Sequence, residues 1–210
     1  MFNRAEYKKA ALATLKGNWG IACLLAIITA ILSAIPLAVF PLAGTCALGI
    51  LFTGIIFTFM KMTAIFAGNN PDEKVTFSTF LEGIEERWLQ AMLGALWETL
   101  WVTLWSLLFV IPGIVKAYSY SMMFFVIAEN PKIGAMKAMD ISKILTQGHK
   151  ADLFVLDLSF LGWAILSCLV SGLGFIWLYP YEQMTKTHAY YDLKKMAFAQ
   201  NKLTPADFEA

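Results

Sequence analysis

Five ionisable side chains fall in or at the edge of long apolar runs: Lys61, Glu98, Asp157, Glu182 and Lys186. Carboxylates and ammonium groups gathered in such surroundings can hold a proton, bind a polar solute or pair with one another. Left alone at a bilayer centre, each costs at least about 2.5–3.5 kcal/mol. Glu182 precedes Lys186 by four residues, the better orientation for an ion pair along a helix. Glu98 lies seven residues beyond Ala91, about 10 Å into its run at 1.5 Å per residue. Asp157 reaches a similar depth in a later run, and Lys61 enters the same layer from an earlier one. A Lys61 pair with Glu98 or Asp157 would offset part of the cost. Three readings stay open: ion pairs that fix helix order, a site for a solute or proton, and side chains that snorkel to the interface.

A second pattern is aromatic. Trp97, Trp101 and Trp105 recur every four residues beside Glu98, so one helix face could line a hydrophobic groove for a lipid tail or a partner helix. Packing and interfacial anchoring are the commoner uses of such a stripe. Lys132, Lys137, Lys143 and Lys150 cluster in one connection, where lysines near a membrane attract anionic lipid at about 1 kcal/mol each.

Signatures of catalysis are missing from the sequence: no GxSxG, HExxH, P-loop or dinucleotide fingerprint occurs. The glycines of Ser171-Gly-Leu-Gly174 read as a turn. His149 and His188 stand in different segments, and a histidine beside Lys150 reads as an interfacial or capping residue. Cys23, Cys46 and Cys168 are odd in number and widely spaced in apolar runs, which gives no disulfide framework and no metal site. No metal, cofactor or nucleic acid is therefore expected.

The elements that must position these residues follow from composition. The chain of 210 residues is 59% hydrophobic and only 15% charged, with mean hydropathy +0.63. Soluble domains are roughly half apolar and a quarter charged. No charged residue occurs from 19 to 60, which excludes amphipathic helices around a soluble core. The first apolar run is too long for a secretory signal, whose apolar region is only about 7–15 residues. Six spans are predicted, near 19–40, 43–67, 91–111, 114–129, 152–171 and 173–190, in one membrane domain over 1–210. The turns near 41, 112 and 172 are short and rich in proline or glycine, whereas the segments 68–90, 130–151 and 191–210 are longer and charged. If both termini are cytoplasmic, 15 of the 16 basic residues lie on one side, with Lys116 the exception, whereas five spans would scatter them. Lys116 then sits at the outer rim, after a Pro112-Gly113 reversal.

The charged segments carry helical periodicity. Asn130 and Pro131 suit an N-cap and first helical position, Ile133, Met136, Met139 and Ile144 recur at three- to four-residue spacing, and Gly148 suits a stop. Phe77, Phe80, Leu81, Ile84 and Trp88 share that period after Asn70-Pro71. Such helices lie among headgroups or, more commonly, cover the inner ends of a bundle.

Successive blocks also resemble one family: Leu15-Lys-Gly-Asn-Trp-Gly20, Ile111-Pro-Gly-Ile-Val-Lys-Ala-Tyr-Ser-Tyr-Ser-Met122, Glu129-Asn-Pro131, Gly148-His-Lys150, Leu153 to Phe160 with Gly162-Trp163, and Pro180-Tyr181 followed by Thr185-Lys186 and Tyr190-Tyr191. The sequence resembles the bacterial integral membrane proteins of domain-of-unknown-function family 975 from about residue 5 to 195. Met123-Phe124 departs from the pattern, where Pro-Tyr or a similar pair is expected. The resemblance implies a multi-pass helical protein of the bacterial cytoplasmic membrane and brings no catalytic residues with it. The expected fold is all-α: a polytopic bundle of about six helices in three hairpins with cytoplasmic amphipathic helices. The expected function is non-enzymatic, a lipid- or partner-binding accessory or scaffold protein whose partners are membrane lipids and a second membrane protein or another copy. The alternative is a small transporter for a solute or lipid that uses the acidic and lysine layer.

Overall fold

The computed structural model describes residues 2–39, 41–69, 74–108, 110–169 and 172–208. Among these residues the chain is all-α, without strands. A short α1 (Arg4–Leu15) begins at Asn3, whose side-chain oxygen accepts from the Glu6 N–H at 3.4 Å. It meets α2 (Trp19–Val39) at 100° across a three-residue break. Next come α3 (Pro41–Phe66), α4 (Phe77–Glu85) and α5 (Trp88–Leu108). The nearly continuous pair α6 (Val110–Tyr120) and α7 (Met123–Glu129) follows, then α8 (Ala135–Thr146), α9 (Lys150–Leu169) and α10 (Phe175–Ala199).

Three stretches are long and apolar enough to cross a membrane among the described residues: Ala43–Phe66, Ile111–Glu129 and Lys150–Leu169. Counting the bent pair of α1 and α2 as one span gives up to four. The helices α5 and α10 occupy two more of the six predicted positions, but they fall outside this set. Four tryptophans and Glu98 dilute the apolarity of α5, and Glu182, Lys186 and a polar C-terminal half dilute that of α10. The predicted spans that run through residues 40, 109, 170 and 171 have those ends outside the described residues, as does Asn70-Pro71.

The deepest packing gathers at one end. Phe125, Val126, Ile127 and Ala128 of α7 are buried together with Ala138, Met139, Ile141 and Leu145 of α8 and Tyr190 and Leu193 of α10. The Phe125 and Tyr190 rings stack at 5.4 Å between centroids. Glycines let the helices close. A Cβ on Gly113 would lie 2.2 Å from the Ser106 hydroxyl, and one on Gly174 would lie 2.4 Å from that of Ser167.

Three expectations need correction. Pro112-Gly113 is not the reversal itself. It sits in the first turn of α6, where proline loses no intrahelical bond, and the reversal lies between α5 and α6. Asn130 does not start α8. It ends α7, and its side-chain oxygen accepts from the Lys132 N–H at 3.0 Å, a local turn that wins over helix initiation. Gly134 takes the N-cap of α8, and Gly148 beyond its end has φ +88°, the left-handed conformation expected of a stop. Finally, one position of the predicted α8 face is wrong. Ile133 and Met139 are buried as expected, together with Ala138, Ile141, Ser142 and Leu145, but Met136 is 62% exposed. The helix packs against α5, α6, α7 and α10.

Candidate functional site

The predicted polar layer assembles, with a different lysine at its centre. Lys186 Nζ stands 3.1 Å from Asp157 Oδ1 and 2.8 Å from Glu182 Oε1. The i,i+4 spacing on α10 supplies the second pair, and the packing of α9 on α10 supplies the first. Tyr118 on α6 donates its hydroxyl to Asp157 Oδ2 at 3.0 Å and sets its ring edge-on to Phe154. Lys61 does not take this place. Its ammonium lies 5.7 Å from the Phe57 ring centre on α3. The predicted Lys61 pair with Asp157 is therefore replaced by Lys186, which projects from the neighbouring helix at the matching depth.

Glu98 joins this layer differently. It has no hydrogen bond or ion pair among the described residues. It is half-buried, and the side chain borders two cavities. One, of about 560 Å³, lies among α5, α6, α7, α9 and α10 and also holds Tyr118, Asp157 and Lys186. The other, of about 380 Å³, is edged by Thr29, Thr45, Thr99 and Tyr179. Phe52 and Phe124 line both, and their rings meet edge-on at 5.4 Å. The layer thus holds three carboxylates to one ammonium. Lys8 of α1 does not line the larger of these cavities; its Nζ reaches the Ser159 carbonyl at 3.3 Å and the Phe160 ring centre at 4.0 Å.

A third cavity, of about 250 Å³, is built on the tryptophan stripe. Trp97, Trp101 and Trp105 face Lys116 and Tyr120 of α6 and Asp140 and Lys143 of α8. Lys116 Nζ is 5.0 Å from the Trp105 ring centre, and Lys143 Nζ is 5.7 Å from that of Tyr120 and 2.7 Å from Asp140 Oδ1. Cation–π contacts of this kind contribute about 0.5–1 kcal/mol where water still reaches them. Of the four predicted lipid-contact lysines, only Lys143 lies here. Lys132 and Lys137 are exposed elsewhere, and Lys150 begins α9. Lys116, absent from the predicted lipid-contact lysines, is six residues into α6 and borders this cavity with Asp140 and Lys143 of α8.

Other ionisable groups hold helices together. His149 Nδ1 is 3.1 Å from Asp152 Oδ2 at the start of α9, and His188 Nε2 is 3.1 Å from the Thr14 hydroxyl. Glu129 accepts from the Tyr190 hydroxyl at 2.6 Å and from Lys194 Nζ at 2.5 Å. Cys23, Cys46 and Cys168 are free thiols.

No curated protein and no solved structure matches the chain. A family model described as "Protein of unknown function (DUF975)" matches residues 107–197, which takes in the motifs from Ile111 to Tyr191 and leaves the N-terminal block outside. The matched family is the one that the sequence motifs resemble.

Proposed function

We propose that this chain is a non-enzymatic protein of the bacterial cytoplasmic membrane that spans it six times with both termini inside. We further propose that it binds anionic lipid at the cavity between α5, α6 and α8. The observation that carries this reading is the meeting of Lys116 and Lys143 over the tryptophan stripe. Among the described residues, no carboxylate pairs with Lys116, so the cavity holds two ammonium groups to one aspartate. A phosphate would supply the missing charge, and the exposed apolar faces of α5 and α6 would take acyl chains. Tryptophan and tyrosine suit this depth, where one edge of the ring is apolar and the other wet. The lack of any catalytic signature in the sequence supports a binding or accessory role over an enzymatic one.

The test is lipid retention. Full-length protein reconstituted in nanodiscs of mixed phosphatidylglycerol and phosphatidylcholine is extracted gently and weighed by native mass spectrometry. Retained phosphatidylglycerol is expected on the wild type and is expected to fall at least fivefold in the Lys116→Gln, Lys143→Gln double variant. Equal retention by both proteins overturns the reading.

One observation favours a second reading, a small transporter for a solute or lipid: Glu98 borders two cavities at once. Glu98→Ala and Asp157→Ala proteins that fold but lose flux in proteoliposomes would sink the accessory role. A folded parent protein without flux would sink transport.

A further inference from the structure

We infer that the larger cavity beside Glu98 is a binding site for an organic ammonium cation, a ligand separate from the anionic lipid proposed above. Charge comes first. Lys186 is shared between Asp157 and Glu182, at 3.1 and 2.8 Å, so the one ammonium of this layer is already engaged. Glu98 adds a third carboxylate, half-buried at the cavity wall and without a partner among the described residues. A buried charge is stable only when paired, and this site asks for a cation.

The walls say which cation. A metal ion needs several oxygen ligands converging at about 2–2.6 Å, and no group of three or more metal-ligating side chains occurs among the described residues. Aromatic rings dominate instead: Phe52, Tyr118, Phe124, Phe125 and Phe154 all border the space. Ring faces attract alkylammonium groups, and a carboxylate backed by aromatic walls recognises charge and bulk together. The volume of about 560 Å³ falls in the range of small-molecule sites, about 300–1,000 Å³. There is also a way in. Ile114 on α6 and Phe154 on α9 line the cavity and are both exposed, so it opens sideways between these two helices. An amine can therefore seat its charge at Glu98 while an apolar tail points out between α6 and α9.

The experiment pairs a cation with its neutral isostere. Benzyltrimethylammonium and 2,2-dimethylpropylbenzene are titrated into purified full-length protein by isothermal calorimetry, with zwitterionic lipid only. One equivalent of the ammonium is expected to bind, and the hydrocarbon is expected not to. Glu98→Gln, which keeps shape, should weaken the ammonium at least tenfold without lowering the melting temperature. Phe154→Leu, a change on the exposed rim, should weaken it about threefold. The proposal is overturned by any one of four results: no ammonium uptake by the wild type, unchanged affinity in Glu98→Gln, equal binding of the hydrocarbon, or full displacement by equimolar sodium or potassium. Phosphatidylglycerol retention should be unaffected by Glu98→Gln, so the two proposals fail separately.

Discussion

Arg87 ties three helices with one guanidinium. It is buried just before α5, donates through Nε to the Ala128 carbonyl at the end of α7 at 2.9 Å, and lies 4.2 Å from the Phe57 ring centre on α3. Glu86 beside it is an exposed ion-pair partner at 3.1 Å. Arg87→Ala leaves a buried carbonyl unpaired and strips a packed ring, which should cost about 2–4 kcal/mol. Arg87→Lys should recover little of this because an ammonium lacks the planar fork. Glu86→Ala should stay within about 1 kcal/mol, as expected of an exposed pair. Thermal unfolding of the three proteins in one detergent checks the order, and a larger loss for Glu86→Ala would refute it. At the polar layer, Lys186→Met removes the cation that two carboxylates share and should cost about 3–5 kcal/mol. The double change Lys186→Met, Asp157→Leu should be milder than the single one, which a melting series can show. The Glu182–Lys186 pair was legible because four-residue spacing on a helix is fixed. The Asp157 partner was not: Lys61 and Lys186 both enter that layer from sequence, and only helix packing chooses between them.

Helix hairpins in this chain close on a repeated device. Ser106 of α5 meets Gly113 of α6, and Ser167 of α9 meets Gly174 before α10, with the same seven-residue separation. Small residues bring helices close where the hydrophobic effect cannot drive them together, so packing supplies the attraction. Gly113→Ala would push a methyl group to 2.2 Å from the Ser106 hydroxyl. Overpacking of this sort costs about 1–3 kcal/mol. Adding Ser106→Gly should restore part of the loss, because the α5 backbone remains 2.9 Å from the new methyl group. No rescue at all in the melting temperature would show that the contact is not the cause. The helices themselves were legible from apolar runs, and the stop at Gly148 was legible from backbone chemistry. What the sequence hid was competition: Asn130 serves a local turn, and α8 faces inward through Ile141 and Leu145 because α5, α6 and α7 surround it. Periodicity tells that a helix has a face, but the neighbours decide which residues fill it.

At the scale of the molecule, exposure and charge run in opposite directions along the helices. Leu107 is 85% exposed, Ile111 76% and Leu169 77%, all next to hairpin reversals that a soluble protein would cover with polar residues. At the other end, Glu129, Tyr190 and Lys194 form a satisfied polar cluster around the most densely buried core. On the proposed topology, a bilayer with its outer face at the exposed reversals would account for both, with the basic segments in the cytoplasm. Single cysteines can check this in a background with Cys23, Cys46 and Cys168 changed to alanine, all three being free thiols. Leu173→Cys, in the reversal before α10, should react with a membrane-impermeant maleimide in intact spheroplasts. Gln147→Cys, exposed after α8, and Lys202→Cys, exposed beyond α10, should react only after permeabilisation. The Lys202 position is the sharpest of the three. An odd number of spans with an inside N-terminus would carry it outside and label it at once, whereas an even number keeps it silent. Labelling of Lys202→Cys in sealed spheroplasts therefore removes the six-span topology, whatever the other two positions show.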